Sequence, residues 1–119
     1  MNNTEKGRCG ESIAESYLIN KGYTLIARNY RAGKSEIDLI MKDGETTVFV
    51  EVKARAGYDY GSGLEAITKR KIAMIISGAE AFCKEHSLFE SSIRFDAVEV
   101  DLKEGRVINH IQSAFCAEA

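Results

Sequence analysis

A chain of 119 residues with 45% hydrophobic and 29% charged residues holds one domain, since single cores are commonest near roughly 100–150 residues. These proportions are ordinary for a globular protein, so neither disulfides nor a structural metal is needed for folding, and no run approaches the ~18 consecutive apolar residues of a membrane helix. The net charge of −2 weighs against the basic footprint usual in nucleic-acid binders, although basic residues gather at Arg28, Arg31 and Lys34, at Lys53 and Arg55, and at Lys69, Arg70 and Lys71.

The first segment, MNNTEKGRCGESIA, is polar and lacks the apolar stretch of a secretory signal, which predicts a cytoplasmic protein. Cys9, Cys83 and Cys116 are far apart and fit reduced thiols; His86 and His110 are isolated, which speaks against a zinc site. Ile13, Ala14, Tyr17 and Leu18 recur at helical spacing, predicting a helix from about Gly7 to Lys21 capped by Gly22. A strand is expected at Tyr23 to Tyr30, a second at Glu36 to Met41 and a third at Thr46 to Arg55, the last two joined by a turn containing Asp-Gly. After a glycine-rich loop (Gly57, Gly61, Gly63), the apolar stripe of Leu64, Ile67, Ile75, Ala79 and Phe82 predicts a helix from Leu64 to Glu85. Two further strands fit Ser92 to Val100 and Arg106 to Ile111. The order α-β-β-β-α-β-β implies a single α/β domain over 1–119, a mixed sheet flanked by helices.

The hairpin carries the chemistry. With Asp43 and Gly44 as the central residues of a type I′ turn, Lys42 faces Glu45, Asp38 lies opposite Phe49, and Glu36 opposite Glu51. Glu36, Asp38, Glu51 and Lys53 are then expected on one face of the sheet. Carboxylates that close repel one another and push one toward protonation. A divalent cation such as Mg²⁺ relieves this, being held by one or two carboxylates plus water and phosphate oxygens. It can polarise a phosphodiester and acidify a water, while Lys53 orients that water or offsets charge growing on the phosphate. A charged outer face is the plain alternative, but both faces also carry apolar residues (Ile40 and Phe49; Ile37, Leu39, Val48, Val50 and Val52), as in strands covered on both sides.

Gly10-Glu11, Glu36-Ile37-Asp38-Leu39-Ile40, Val48 through Arg55 and Arg94-Phe95-Asp96 together resemble the YraN-like family of the PD-(D/E)XK nuclease superfamily, which is similar to archaeal Holliday-junction resolvases. The resemblance runs from about Gly7 to Phe115. It implies a restriction-endonuclease-like fold and a Mg²⁺- or Mn²⁺-dependent endonuclease, selective for branched, junction or single-stranded DNA. By the same resemblance, Asp38 and Glu51 bind the metal with the Val52 carbonyl, Glu11 approaches it from the first helix, Lys53 is catalytic, and Lys71 is the helical lysine of the site. Ser35 departs from the pattern, since the family usually has Gly before the Glu-Ile-Asp run and Ser tolerates φ > 0 less well.

Other residues keep two readings. Glu11 could equally complement a helix dipole. Glu36 is expected to support the metal ligands from behind, or to be a rim charge. Arg55 contacts phosphate or is solvated. Gly61-Ser62-Gly63 presents amides to a phosphate or is a plain connection, and Tyr23, Tyr30, Tyr58 and Tyr60 belong to the core or stack on bases. Arg94 and Asp96 are expected to be structural. The partner is nucleic acid, DNA ahead of RNA, with a homodimer possible and no membrane. A non-catalytic nucleic-acid-binding module, or a subunit of a DNA-processing complex docking through Ile111 and Phe115, are the alternatives to an enzyme.

Overall fold

A computed structural model describes residues 2–56, 67–88 and 91–116. The elements are α1 (Asn3–Asn20), β1 (Thr24–Ala32), β2 (Ser35–Asp43), β3 (Thr46–Arg55), α2 (Lys69–Glu85), β4 (Ile93–Asp101) and β5 (Arg106–Phe115). Five strands form one sheet in the order β1-β2-β3-β4-β5. Only β3 and β4 are parallel, joined by the crossover that contains α2, and the other neighbours are antiparallel. The α/β class and the order of elements are as expected. No helix among the described residues is long and apolar enough to cross a membrane.

Local chemistry sets the helix ends. α1 starts four residues earlier than the apolar spacing suggests, because Asn2 and Glu5 form a capping box: Glu5 N–H donates to Asn2 Oδ1 at 2.8 Å, with the Glu5 side chain reaching back. It ends in a Schellman arrangement, with Gly22 at φ +99°, Gly22 N–H donating to the Ile19 carbonyl and Tyr23 N–H to that of Leu18. α2 begins at Lys69 rather than Leu64, since Thr68 is extended and its hydroxyl accepts from Lys71 N–H at 3.1 Å. The expectations for Leu64, for the Gly57, Gly61 and Gly63 loop with Ser62, and for Tyr58 and Tyr60 lie outside the described residues.

The helices cover opposite faces of the sheet. Ala14 and Leu18 of α1 pack with Leu39, Met41, Val48, Val50, Val98 and Val100. Ile75, Ala79 and Phe82 of α2 pack with Ile37, Ile40, Phe49 and Phe95. At Gly10 the approach of α1 to β3 is so close that a Cβ there would stand 2.7 Å from Ala54 Cβ.

The hairpin register differs from expectation. Asp43 pairs with Thr46 and Lys42 with Thr47, through to Leu39 with Val50, so the central turn residues are Gly44 and Glu45. Gly44 has φ +61° and Glu45 is not in the left-handed region, the signature of a turn with glycine at its first central position. Asp43 stays in the strand, where its carboxylate accepts from Arg94 Nη1 at 3.0 Å. The pairing slips by two residues, so every side chain keeps its face while its opposite number changes. Ser35 needs no positive φ, because Gly33 (φ +60°) takes that conformation in the preceding turn.

A polar network centred on buried Asp96 ties the start of β1, the end of β2 and the start of β4 to β5. Arg94 holds the wholly buried Asp96 through Nε and Nη2 (2.8 and 3.0 Å) and donates to Tyr23 Oη (2.6 Å). His110, isolated in sequence, has Nε2 2.8 Å from Asp96 Oδ2. Burial alone would raise the Asp96 carboxyl, but hydrogen bonds from His110, Arg94 and the Ser113 amide outweigh it and hold it below the usual aspartate range. Its contribution to stability is therefore complete above the ordinary value near ~3.9 and lost as pH falls through the lower folded value. Asp96→Ala, removing the buried acceptor that Arg94, His110 and the Ser113 amide share, should cost about 3–5 kcal/mol in denaturant unfolding at neutral pH. Gly10→Ala should cost about 1–3 kcal/mol; an unchanged melting temperature would contradict the close approach of α1 to Ala54.

Candidate metal centre

The site forms where β2 and β3 part. Their ladder stops at Leu39–Val50, while β3 continues beside β4 as far as Arg55 and Asp101. One step beyond the last pair, the same register sets Asp38 across from Glu51. The Asp38 carboxylate enters the gap and accepts from Val52 N–H at 2.8 Å, replacing the ladder bond that a β2 carbonyl would have made. The N–H and C=O of one strand residue point to the same side, so the Val52 carbonyl also faces this notch.

β1 and β2 change phase together at Asn29 and Asp38, which the register between them skips. Ile37 and Leu39 would share a face in a regular strand. Instead Ile37 packs beside Gly78 and α2, and Leu39 packs with α1. In β1, Arg28 bonds Glu15 of α1, whereas Tyr30 packs edge-on against Phe82 of α2. Between them Asn29 adopts φ +48°, a conformation that asparagine tolerates better than most residues. This reset overturns the expectation that Glu36 shares a face with Asp38, Glu51 and Lys53. Glu36 turns to the α1 side and pairs with Arg31 at 3.1 Å. With Glu11, Asn29 and Arg8 it lines an open polar cleft of about 340 Å³.

The remaining residues approach the notch from several elements. Glu51 is 4% exposed; its Oε2 is sealed from solvent without a hydrogen-bond donor, although Lys71 Nζ of α2 stands 3.4 Å away. Glu11 is held by Asn29 Nδ2 at 2.9 Å. Its carboxyl is raised by burial and by the nearby charges of Asp38 and Glu36, against the lowering effect of Asn29. Lys53 is half-buried on the α2 face and makes no ion pair among the described residues. Arg55 lies further along that face, its Nε buried without an acceptor, and its carbonyl accepts from Leu102 N–H at 2.7 Å.

Electrostatics single out Asp38. Its carboxyl is pushed up to about 8 by burial first, then by Glu51 within hydrogen-bonding reach, against the opposing effects of the Val52 amide and Lys71. Among the described residues, no three His, Cys, Asp or Glu side chains sit together as a ready metal cluster. The Asp38 and Glu51 carboxylates with the Val52 carbonyl, and Glu11 close to Asp38, are donors that would suit Mg²⁺, an ion that commonly takes one or two carboxylates and completes its shell with water and phosphate oxygens. The donorless Glu51 Oε2 is the atom such an ion would satisfy.

Asn29 is a residue of the site that sequence patterning does not single out. Its only mark in the sequence is an asparagine inside a strand-like run, at a residue type that favours left-handed backbone.

The chain belongs to a protein family. Residues 10–100 match the family described as Uncharacterised protein family UPF0102, the YraN-like family that the motifs resemble. A UPF0102 protein of Clostridioides difficile (strain 630) is 43% identical over 97% of this chain and 100% of its own length. Another, from Prosthecochloris aestuarii, is 47% identical over 94% of both chains, and one from Clavibacter michiganensis subsp. michiganensis is 47% identical over 79% of this chain and 80% of its own.

The raised Asp38 value sets a pH dependence in metal-free protein. A carboxyl that the fold keeps protonated adds stability fully below its ordinary value of 3.8, and that stability is lost as pH rises through about 8. In EDTA, Asp38→Asn should therefore melt higher than wild type at about pH 9, with the advantage shrinking toward about pH 5. Glu51→Gln should flatten the same profile, because it removes the charge that opposes Asp38 ionisation. Equal pH profiles for all three proteins would contradict the coupling.

Proposed function

We propose that this protein is a metal-dependent nuclease of the PD-(D/E)XK type, similar to archaeal Holliday-junction resolvases, hydrolysing phosphodiester bonds in branched, junction or single-stranded nucleic acid, DNA before RNA. The observation that carries the reading is the pairing of a donorless, buried Glu51 oxygen with an Asp38 carboxyl driven up to about 8 across the same notch. Two crowded carboxylates cost stability unless a cation or a proton neutralises them. The polar cleft lined by Glu11, Asn29 and Glu36 lies next to the notch, since Glu11 feels the charge of Asp38, and supports a substrate that brings further oxygen ligands with it.

In this reading Asp38, Glu51 and the Val52 carbonyl hold Mg²⁺ or Mn²⁺. The bound ion supplies charge neutralisation at the phosphate and acidifies an attacking water. Glu11, restrained by Asn29 at 2.9 Å, borders the notch from α1 and accepts from water there. Lys53, two residues beyond Glu51 on the same face, donates to the attacking water or to a non-bridging phosphate oxygen. Lys71 at 3.4 Å is the counter-charge of Glu51, and its ammonium would be available to a phosphate oxygen at the same notch. Arg55 extends the basic edge along which a nucleic-acid backbone would run.

The test is cleavage of labelled single-stranded, duplex and four-way-junction DNA, and of matching RNA, in Mg²⁺ or Mn²⁺. Wild type should cut, EDTA should abolish cutting, and Glu51→Ala or Asp38→Asn should each lower the rate at least about 100-fold, roughly 2.7 kcal/mol at the barrier. Salt-dependent binding with no cleavage of any substrate would replace the enzyme with a binding module.

A further inference from the structure

The tripeptide Val-Glu-Val occurs twice, as Val50-Glu51-Val52 in β3 and Val98-Glu99-Val100 in β4. The two strands are parallel neighbours with Glu51 beside Ala97, Lys53 beside Glu99 and Arg55 beside Asp101. Phe49 and Phe95, earlier in the same rows, stack on the α2 side, while Val98 and Val100 pack on the α1 side. Alternation therefore places Glu51, Lys53 and Glu99 on one face, with the lysine between the two carboxylates.

Glu99 is 8% exposed, and its Oε2 is sealed from solvent with no hydrogen-bond partner. A buried carboxylate without a donor is costly, and neighbouring apolar side chains would serve a purely structural strand better. Glu51 shares this condition, but Lys71 already stands against its Oε2. Lys53 has no ion pair among the described residues and is the cation anchored directly beside Glu99 in the ladder. Its long flexible stem lets the ammonium swing between solvent and either carboxylate.

We propose that Glu99 is a positioning residue for Lys53: its carboxylate receives the Lys53 ammonium and holds it over the notch beside Glu51. The inference rests on the nuclease reading, because the task it assigns to Lys53 is the one given above. With a cation on Asp38 and Glu51, Lys53 would be repelled from the metal side, and among the described residues Glu99 is the acceptor beside it in the ladder. Glu99 touches neither substrate nor ion; it fixes the angle from which Lys53 meets the attacking water.

Glu99→Gln keeps the shape of the side chain and removes its charge. Three measurements decide the role: the thermal midpoint, the separate values of kcat and KM for Mn²⁺-dependent cleavage, and a crystal structure of wild type soaked with Ca²⁺. The expected results are a midpoint equal to or above wild type, kcat lowered at least tenfold with KM within twofold, partial recovery in Glu99→Asp, and a Lys53–Glu99 ion pair in the soaked crystal. A Glu99→Gln protein with wild-type kcat overturns the role, as does a soaked crystal with Lys53 turned away from Glu99. So does a fall in kcat that tracks a fall in thermal midpoint, which marks Glu99 as structural. Wild type that cuts no nucleic acid sinks the nuclease reading and this role together, whereas active wild type with an equally active Glu99→Gln sinks this role alone.

Discussion

Two carboxyl groups that repel each other are held in one small gap, and the rest of the fold is arranged around that crowding. Asp38 and Glu51 stand on strands whose pairing ends one residue earlier, so neither can retreat into a regular ladder. Relief by movement is blocked on both sides. α1 presses on β3 at Gly10, where even a methyl group would collide with Ala54, and α2 presses on β2 at Gly78, where a Cβ would stand 3.1 Å from Ser35. With its walls fixed, the gap is neutralised by a proton on Asp38, by a nearby ammonium such as that of Lys71, or by an added cation.

The parallel pair β3–β4 carries two kinds of buried charge. Near its beginning, Asp96 is met by Arg94, His110 and the Ser113 amide, and Arg94 in turn reaches Asp43 and Tyr23. Every partner there is satisfied, which is how buried ions become tolerable. Toward its end, Glu51 and Glu99 each leave an oxygen without a donor, and Arg55 leaves its Nε without an acceptor. Unsatisfied polar atoms gathered at the carboxyl ends of parallel strands, beside a notch, are where a sheet of this kind gives up stability for a function.

Much of this could be read from residue order. The alternation of Val48 to Val52 identified β3 to the residue, and the pairing of acidic and basic types in Asp38, Glu51 and Lys53 pointed to the region where the notch lies. The turn lies one residue later than the Asp43-Gly44 signal of a type I′ turn implies. The deciding factor was Arg94, 51 residues away in sequence, which keeps Asp43 in the strand. Glu36 lies on the other side from the one that alternation implies, for a related reason: period-2 alternation is a local rule, and the reset at Asn29 and Asp38 arises only when both strands fit between two helices.

Apolar periodicity, caps and residue chemistry act over a few neighbours, so the chain alone settles the order of helices and strands and the kinds of side chain available for chemistry. Which of those side chains meet is a matter of register, phase and helix docking, all of which depend on contacts between distant segments. Lys71 reaching Glu51, Asn29 restraining Glu11, and Glu99 lying beside Lys53 belong to that second kind. Each joins residues 18 to 46 positions apart, across elements whose separation is fixed by the packing of the two faces of the sheet.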